Sequence, residues 1–123
     1  MTLDVRISRL HRTVIIIAGG EVTPDDVRAG AWQLAQPQLP SFSKFVDLSR
    51  AGSEAGRQAE PIAKMLAEET TRSTSLGPVA VLVEDPVQVA GAALAELART
   101  RPVGLFNRIL EAREWLRALQ GKI

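Results

Sequence analysis

The residues best suited to hold an anionic group are Ser49, Arg50, Ser53 and Arg57, within the stretch "FVDLSRAGSEAGRQAEP" from Phe45 to Pro61. Two guanidinium groups, two hydroxyls and the backbone amides at a helix entrance can converge on a phosphate, a carboxylate or a partner's acidic side chain. Asn107 and Arg108 form a second small polar set just after the apolar run "VGLF". Neither set contains a general base beside a nucleophile. Ser49 follows Asp47 closely but lacks the glycine-x-serine-x-glycine elbow of a hydrolase. His11 is the sole histidine and there is no cysteine, so two-histidine and thiolate metal centres, disulfides and cysteine nucleophiles are excluded. Gly19 and Gly20 precede a helix as a phosphate loop would, yet the spacing is wrong and Glu21, Asp25 and Asp26 would repel an anion. Glu84 and Asp85 before Pro86 read as acids stabilised by a helix dipole. The reading assigns no catalytic residue, no metal ligand and no cofactor.

These residues must be positioned by strands and helices that the hydrophobic pattern predicts. Leu3, Val5 and Ile7 alternate with Asp4, Arg6 and Ser8, the period of an edge strand. After the "RLHR" turn, "TVIIIA" (Thr13 to Ala18) is a continuous β-branched run that suits a strand covered on both faces, and the two form an antiparallel hairpin. Thr23 is an N-cap followed by Pro24 at the first helical position, and Val27, Ala31 and Leu34 stripe a helix over Pro24 to Gln36. Lys44 to Leu48 is a third strand. A second helix is expected over Glu60 to Thr71, where Pro61 falls in the first turn, with Ala59, Ile62, Met65 and Leu66 on its apolar face. Pro78 to Val83 reads as a buried fourth strand, and Val87, Ala90, Leu94 and Leu97 stripe a third helix starting near Pro86. Val103 to Phe106 is a fifth strand. Ala112, Trp115, Leu116 and Leu119 stripe a last helix that Gly121 stops, with Arg113 and Arg117 on its solvated flank. Trp32 falls off the stripe of its helix, at its margin or in a subunit contact.

The order is ββαβαβαβα. Three successive strand-helix-strand units need right-handed crossovers, so the class is α/β, with a mostly parallel five-stranded sheet and an antiparallel N-terminal edge strand. In such a sheet, ligands meet the loops at the carboxyl ends of the strands: 19 to 23, 49 to 60, 84 to 86, and 107 to 108. The first and third are acidic, so an anion should prefer the second and fourth. The second is also long for a compact domain, and it is expected to be the most mobile internal segment over residues 50 to 58.

A chain of 123 residues with 46% hydrophobic and 24% charged residues is expected to be one globular domain over residues 1–123. No apolar run approaches the roughly 18 residues that cross a bilayer, which excludes stable membrane insertion. "MTLDVRIS" lacks a secretory pattern, so the expected compartment is the cytoplasm. A net charge of +1 supplies no field for nucleic acid, and a partner must be recognised locally.

The succession "VIIIAGGEVTPDDV", "FVDLS", "GPVAVLVEDPVQVAG" and "GLFNRILEAREWL" resembles the SpoIIAA-like branch of the STAS superfamily, a bacterial regulatory group related in fold to anti-sigma-factor antagonists and to lipid-binding CRAL-TRIO domains. Its most specific piece is Phe106, Glu111, Ala112, Trp115 and Leu116. The resemblance spans nearly the whole chain and implies a small non-enzymatic module for regulation, protein contact or ligand sensing, as a homodimer. The CRAL-TRIO relation implies the alternative of a small carrier or enzyme-like pocket for an apolar or acyl ligand. Anti-sigma-factor antagonists follow a similar strand end with an aspartate-serine-serine-or-threonine-glycine motif, whose modified hydroxyl lies on the partner-binding face. Asp47, Leu48 and Ser49 match the strand end. Ser53 is preceded by Gly52 and followed by Glu54 and Ala55, which departs from that motif and argues against a kinase-controlled switch.

Overall fold

A computed structural model of the chain describes residues 3–20, 22–51, 55–86 and 91–120. Its elements are β1 (Leu3–Ser8), β2 (Thr13–Ala18), α1 (Pro24–Gln33), β3 (Ser43–Asp47), α2 (Ala55–Ala67), β4 (Val79–Leu82), α3 (Ala92–Leu97), β5 (Val103–Phe106) and α4 (Ile109–Gln120). Short 3-10 turns occupy Leu39–Ser41 and Glu68–Thr71. The strands lie in the order β1-β2-β3-β4-β5, with β1 antiparallel to β2 and every later pair parallel. Each parallel strand is added on the same side of its predecessor, so right-handed crossovers place α1, α2 and α3 on one face. There Val14, Ile16, Val46, Val79 and Val81 form the main core with Ile62, Leu66, Leu94 and Leu97. On the other face α4 packs over β3, β4 and β5, closing a smaller core of Phe45, Ala80, Leu82, Ala112 and Leu116.

The strand register and the caps follow the sequence pattern. Thr23 accepts from the Asp26 amide at 3.2 Å while Asp26 accepts from the Thr23 amide at 2.9 Å, a reciprocal capping box that starts α1. The helix ends at Gln33, three residues short of the expected Gln36, because Leu34 is already its cap and Pro37 cannot continue it.

Three expectations are corrected. First, α2 starts at Ala55 rather than Glu60, so Pro61 stands inside the helix instead of in its first turn. The small side chains of Ala55, Ala59 and Ala63 let the helix lie close on the sheet, and that burial outweighs the hydrogen bond Pro61 cannot make. Residues 55 to 58 of the segment expected to be mobile are thus helical, with Ala55 and Gln58 buried. Second, Gly91 is extended (φ −134°, ψ 177°), so α3 begins at Ala92 and no continuous helix runs from Pro86. Leu94 and Leu97 are buried as the stripe requires, while Val87 and Ala90 lie outside the described residues, as does the expected stop at Gly121. Third, β2 is covered unequally on its two faces: Val14, Ile16 and Ala18 are buried, whereas Thr13, Ile15 and Ile17 are half-buried, with Ile15 at the margin of the smaller core because α4 packs mainly over β3, β4 and β5. Trp32 projects into solvent, 82% exposed.

At the amino ends of the strands a charged cluster is sealed inside the fold. Glu69 Oε1 lies 2.8 Å from Arg101 Nη1 and 3.2 Å from Lys44 Nζ, all three side chains fully buried. Lys44 Nζ also donates to the carbonyls of Leu39 (2.6 Å) and Phe42 (2.8 Å), and Arg101 donates to those of Gly77 (2.5 Å) and Pro40 (3.1 Å). The cluster ties the chain before β3, the chain before β4 and the end of α2 into one corner. Desolvation lowers Lys44 from its usual 10.5 to about 8, with Glu69 opposing and Arg101 adding to the effect.

Candidate functional site

The carboxyl edge of the parallel strands carries the polar residues singled out above. At the end of β3 the Asp47 carboxylate bends the chain: its Oδ1 accepts from the Ser49 amide at 2.9 Å and from the Ser49 hydroxyl at 2.6 Å. Leu48 donates across to Leu82 O at 2.8 Å and Ala51 donates back to Leu48 O at 3.0 Å. Leu48 and Ala51 are buried, which pins the turn and leaves Ser49 and Arg50 exposed at its tip. Arg57 is exposed in the first turn of α2, and Ser53 lies outside the described residues. Asn107 and Arg108 are exposed between β5 and α4, where Arg108 O receives the Ala112 amide at 3.2 Å.

All five described residues thus occupy one edge, but the structure does not draw the two sets into one pocket. With β4 between β3 and β5, the second and fourth loops stand roughly two strand spacings, about 10 Å, apart. The loop between them carries Glu84 and Asp85, both exposed. An acidic loop therefore divides the two basic ones, so the edge suits a broad partner carrying alternating charges better than one small anion. The Ser49 hydroxyl is committed to Asp47. Among the described residues no group of three acidic or histidine side chains is placed to hold a metal.

A larger concavity, absent from the expectations above, lies on the other side of Asp47, where α4 covers β1 and β2 least. It is an open groove of about 1050 Å³. Its floor is Thr13 and Ile15 of β2 with Ser43 and Phe45 of β3; its wall is the flank of α4 that carries Arg113 and Arg117. The β1–β2 turn closes one end with Leu10, His11 and Arg12. Arg12 has φ 50°, an uncommon left-handed conformation for an arginine, and its guanidinium stands 5.2 Å above the Phe42 ring while donating to Ser41 Oγ at 3.2 Å. Gln120 donates to Ser43 Oγ at 2.6 Å, fixing the end of α4 against the floor. His11 is exposed in its turn, as the pattern predicts, but it belongs to this groove. The signal that could have revealed the groove is the run "TVIIIA", which carries more apolar surface than one helix on that face can cover.

No protein-family model and no curated protein matches the chain. Among solved structures, an anti-sigma factor antagonist from Mycobacterium paratuberculosis superposes with a TM-score of 0.55, covering 94% of this chain and 93% of that one at 18% sequence identity. Likeness at that identity is a statement about fold, and it agrees with the mixed sheet and the single α4 layer described above. The chain has the STAS-like α/β fold of anti-sigma factor antagonists.

Proposed function

We propose that the chain is a non-enzymatic regulatory module that binds a protein partner across the carboxyl edge of its sheet. The observation that carries this reading is the alternation along that edge: Ser49, Arg50 and Arg57 on one loop, Glu84 and Asp85 on the next, Asn107 and Arg108 on the last, all seven exposed. Charge alternation of this kind selects a complementary surface and sets its register more than it adds raw affinity. The likeness to a protein named as an anti-sigma factor antagonist supports a regulatory role, and the module is taken to act in the cytoplasm, without a cofactor. No helix among the described residues is long and apolar enough to cross a membrane.

Capture of partners from the native cell with the immobilised chain tests the reading. A specific partner should be recovered, and its affinity should fall when Arg50 and Arg57 are both replaced by alanine, or when salt is added to the parent. Unchanged affinity in the double variant would reduce the loop after β3 to a connection.

A further inference from the structure

The geometry points to a second docking surface, distinct from the carboxyl edge: the groove beside α4 is the seat of an amphipathic α-helix with acidic flanks, contributed by a partner protein. Three helices cover one face of the five-stranded sheet, and on the other α4 packs over β3, β4 and β5. The least covered strip is the α4-side face of β1 and β2, each of six residues, which carries Thr13, Ile15 and Ile17 on β2 and the polar Asp4, Arg6 and Ser8 on β1. That is a patch roughly 20 Å long and, at two strand spacings, about 10 Å wide. An α-helix of about 13 residues is about 20 Å long and 10–12 Å across with its side chains. One more helix lying beside α4 would complete the layer.

The surface is unfinished in the way such a seat requires. Ile15 and Ile17 are half-buried, and two groove-lining apolar side chains face water: Leu10 is 87% and Ile109 51% exposed. At about 1050 Å³ the groove stands at the upper end of the roughly 300–1,000 Å³ of small-ligand sites, and it is open along its outer side where those sites enclose. A single acyl chain would leave much of the width bare, whereas helix-in-groove recognition uses an apolar floor with charged rims.

Charge selects the occupant's flanks. The groove is lined by Arg12, Arg113 and Arg117 with His11, against one carboxylate, Asp47, whose Oδ1 already accepts twice from Ser49, while on the adjoining face of β1 Asp4 is paired with Arg6 at 2.8 Å. Arg113 and Arg117 are four residues apart on α4, a spacing at which like charges disfavour the helix, and among the described residues neither has an ion pair. Acidic residues along a docked helix would relieve that repulsion. A second copy of this chain in two-fold pairing through the groove would instead bring the arginine rims toward one another.

The probe is a synthetic helix of about 14 residues with leucines along one face and glutamates on its flanks, titrated into the isotope-labelled full chain. The glutamate peptide should move the amide resonances of Thr13, Ile15, Phe45, Arg113 and Arg117. Its lysine-flanked counterpart should not, and added salt should weaken the binding. Arg113→Glu with Arg117→Glu should lower affinity at least tenfold, Arg113→Lys with Arg117→Lys should keep it within a few-fold, and thermal unfolding should stay unchanged. The salt and lysine-peptide arms need no variant, so they hold even if the charge reversal disturbs folding. Arg50→Ala with Arg57→Ala should bind the peptide like the parent, which separates this surface from the carboxyl edge. The proposal is overturned by absent groove shifts, by equal binding of the lysine peptide, or by equal loss in the Arg50/Arg57 variant. It is equally overturned by stoichiometric binding of oleate that displaces the peptide, or by concentration-dependent groove shifts of the protein alone, the mark of self-association.

Discussion

Glu69 Oε1 and Arg101 Nη1 stand 2.8 Å apart with both side chains wholly withdrawn from water. The same oxygen faces Lys44 Nζ at 3.2 Å, while Glu69 Oε2 has no hydrogen-bond partner among the described residues. One buried carboxylate therefore balances two buried cations, and four backbone carbonyls around them supply the rest of the compensation. The three members should differ sharply in what their loss costs.

Glu69→Gln leaves two uncompensated buried cations and should destabilise the chain by about 3–5 kcal/mol. Lys44→Met leaves the balanced Glu69–Arg101 pair and removes a donor from Leu39 O and from Phe42 O, for a cost of about 1–2 kcal/mol. Denaturant midpoints of the two variants check the order. Equal midpoints would mean that Lys44 and Glu69 contribute alike.

The pH dependence follows from Lys44. Burial holds it at about 8 in the folded chain against 10.5 when exposed, so between these values the unfolded chain binds the extra proton. Stability contributed through this group should rise as pH climbs from 8 to 10.5, by about 3 kcal/mol at roughly 1.4 kcal/mol for each pH unit, and its burial cost should be fully present below pH 8. Chemical denaturation of the parent and of Lys44→Met across that window reads the difference, which should grow in the parent's favour. A difference that stays level would show that Lys44 titrates as an exposed lysine does.

Two glycines should respond unequally to alanine. A Cβ on Gly77 would sit 2.2 Å from the backbone oxygen of Phe42, so the chain itself must move; Gly77→Ala should cost about 3 kcal/mol or more. A Cβ on Gly104 would meet the Phe106 ring at 2.7 Å and Trp115 at 3.3 Å, both side chains, and Gly104→Ala should cost about 1–3 kcal/mol. Trp115, half-buried with its ring centroid 5.4 Å from that of Phe106, should cost about 3 kcal/mol on truncation to alanine, the low end for a large aromatic. Thermal unfolding ranks the three.

The turn after β3 supplies a local test. Asp47→Ala removes the acceptor of both Ser49 bonds and should cost about 1–2 kcal/mol, whereas Ser49→Ala keeps the amide bond and should cost less than about 1 kcal/mol. Amide exchange at Ser49, Arg50 and Ala51 should accelerate in the aspartate variant alone. Slow exchange there would mean that buried Leu48 and Ala51 hold the turn unaided.

Much of the architecture is local and so was legible along the chain. Period-two alternation in β1, the Thr23 cap with Pro24 and Asp26, and the Ala112, Trp115, Leu116 stripe are interactions between near neighbours, and they specified element type and order before any packing was known. Parallel strands then located the carboxyl-edge loops, although whether Ser49, Arg50 and Arg57 could meet Asn107 and Arg108 depended on the strand order that inserts Glu84 and Asp85 between them. The start of α2 was missed because Ala55 carries too little apolar surface, and Gly56 none, to mark a helix; close approach to the sheet gives Ala55 its value. No local pattern singles out Lys44, Glu69 and Arg101, and only the long-range closure of β3, the end of α2 and the chain before β5 brings them together. The groove is the furthest from sequence, since a β-branched run states that a strand is apolar on both faces but not how many helices will cover each. That number was decided by crossover handedness, which sent three helices to one side and left α4 alone on the other.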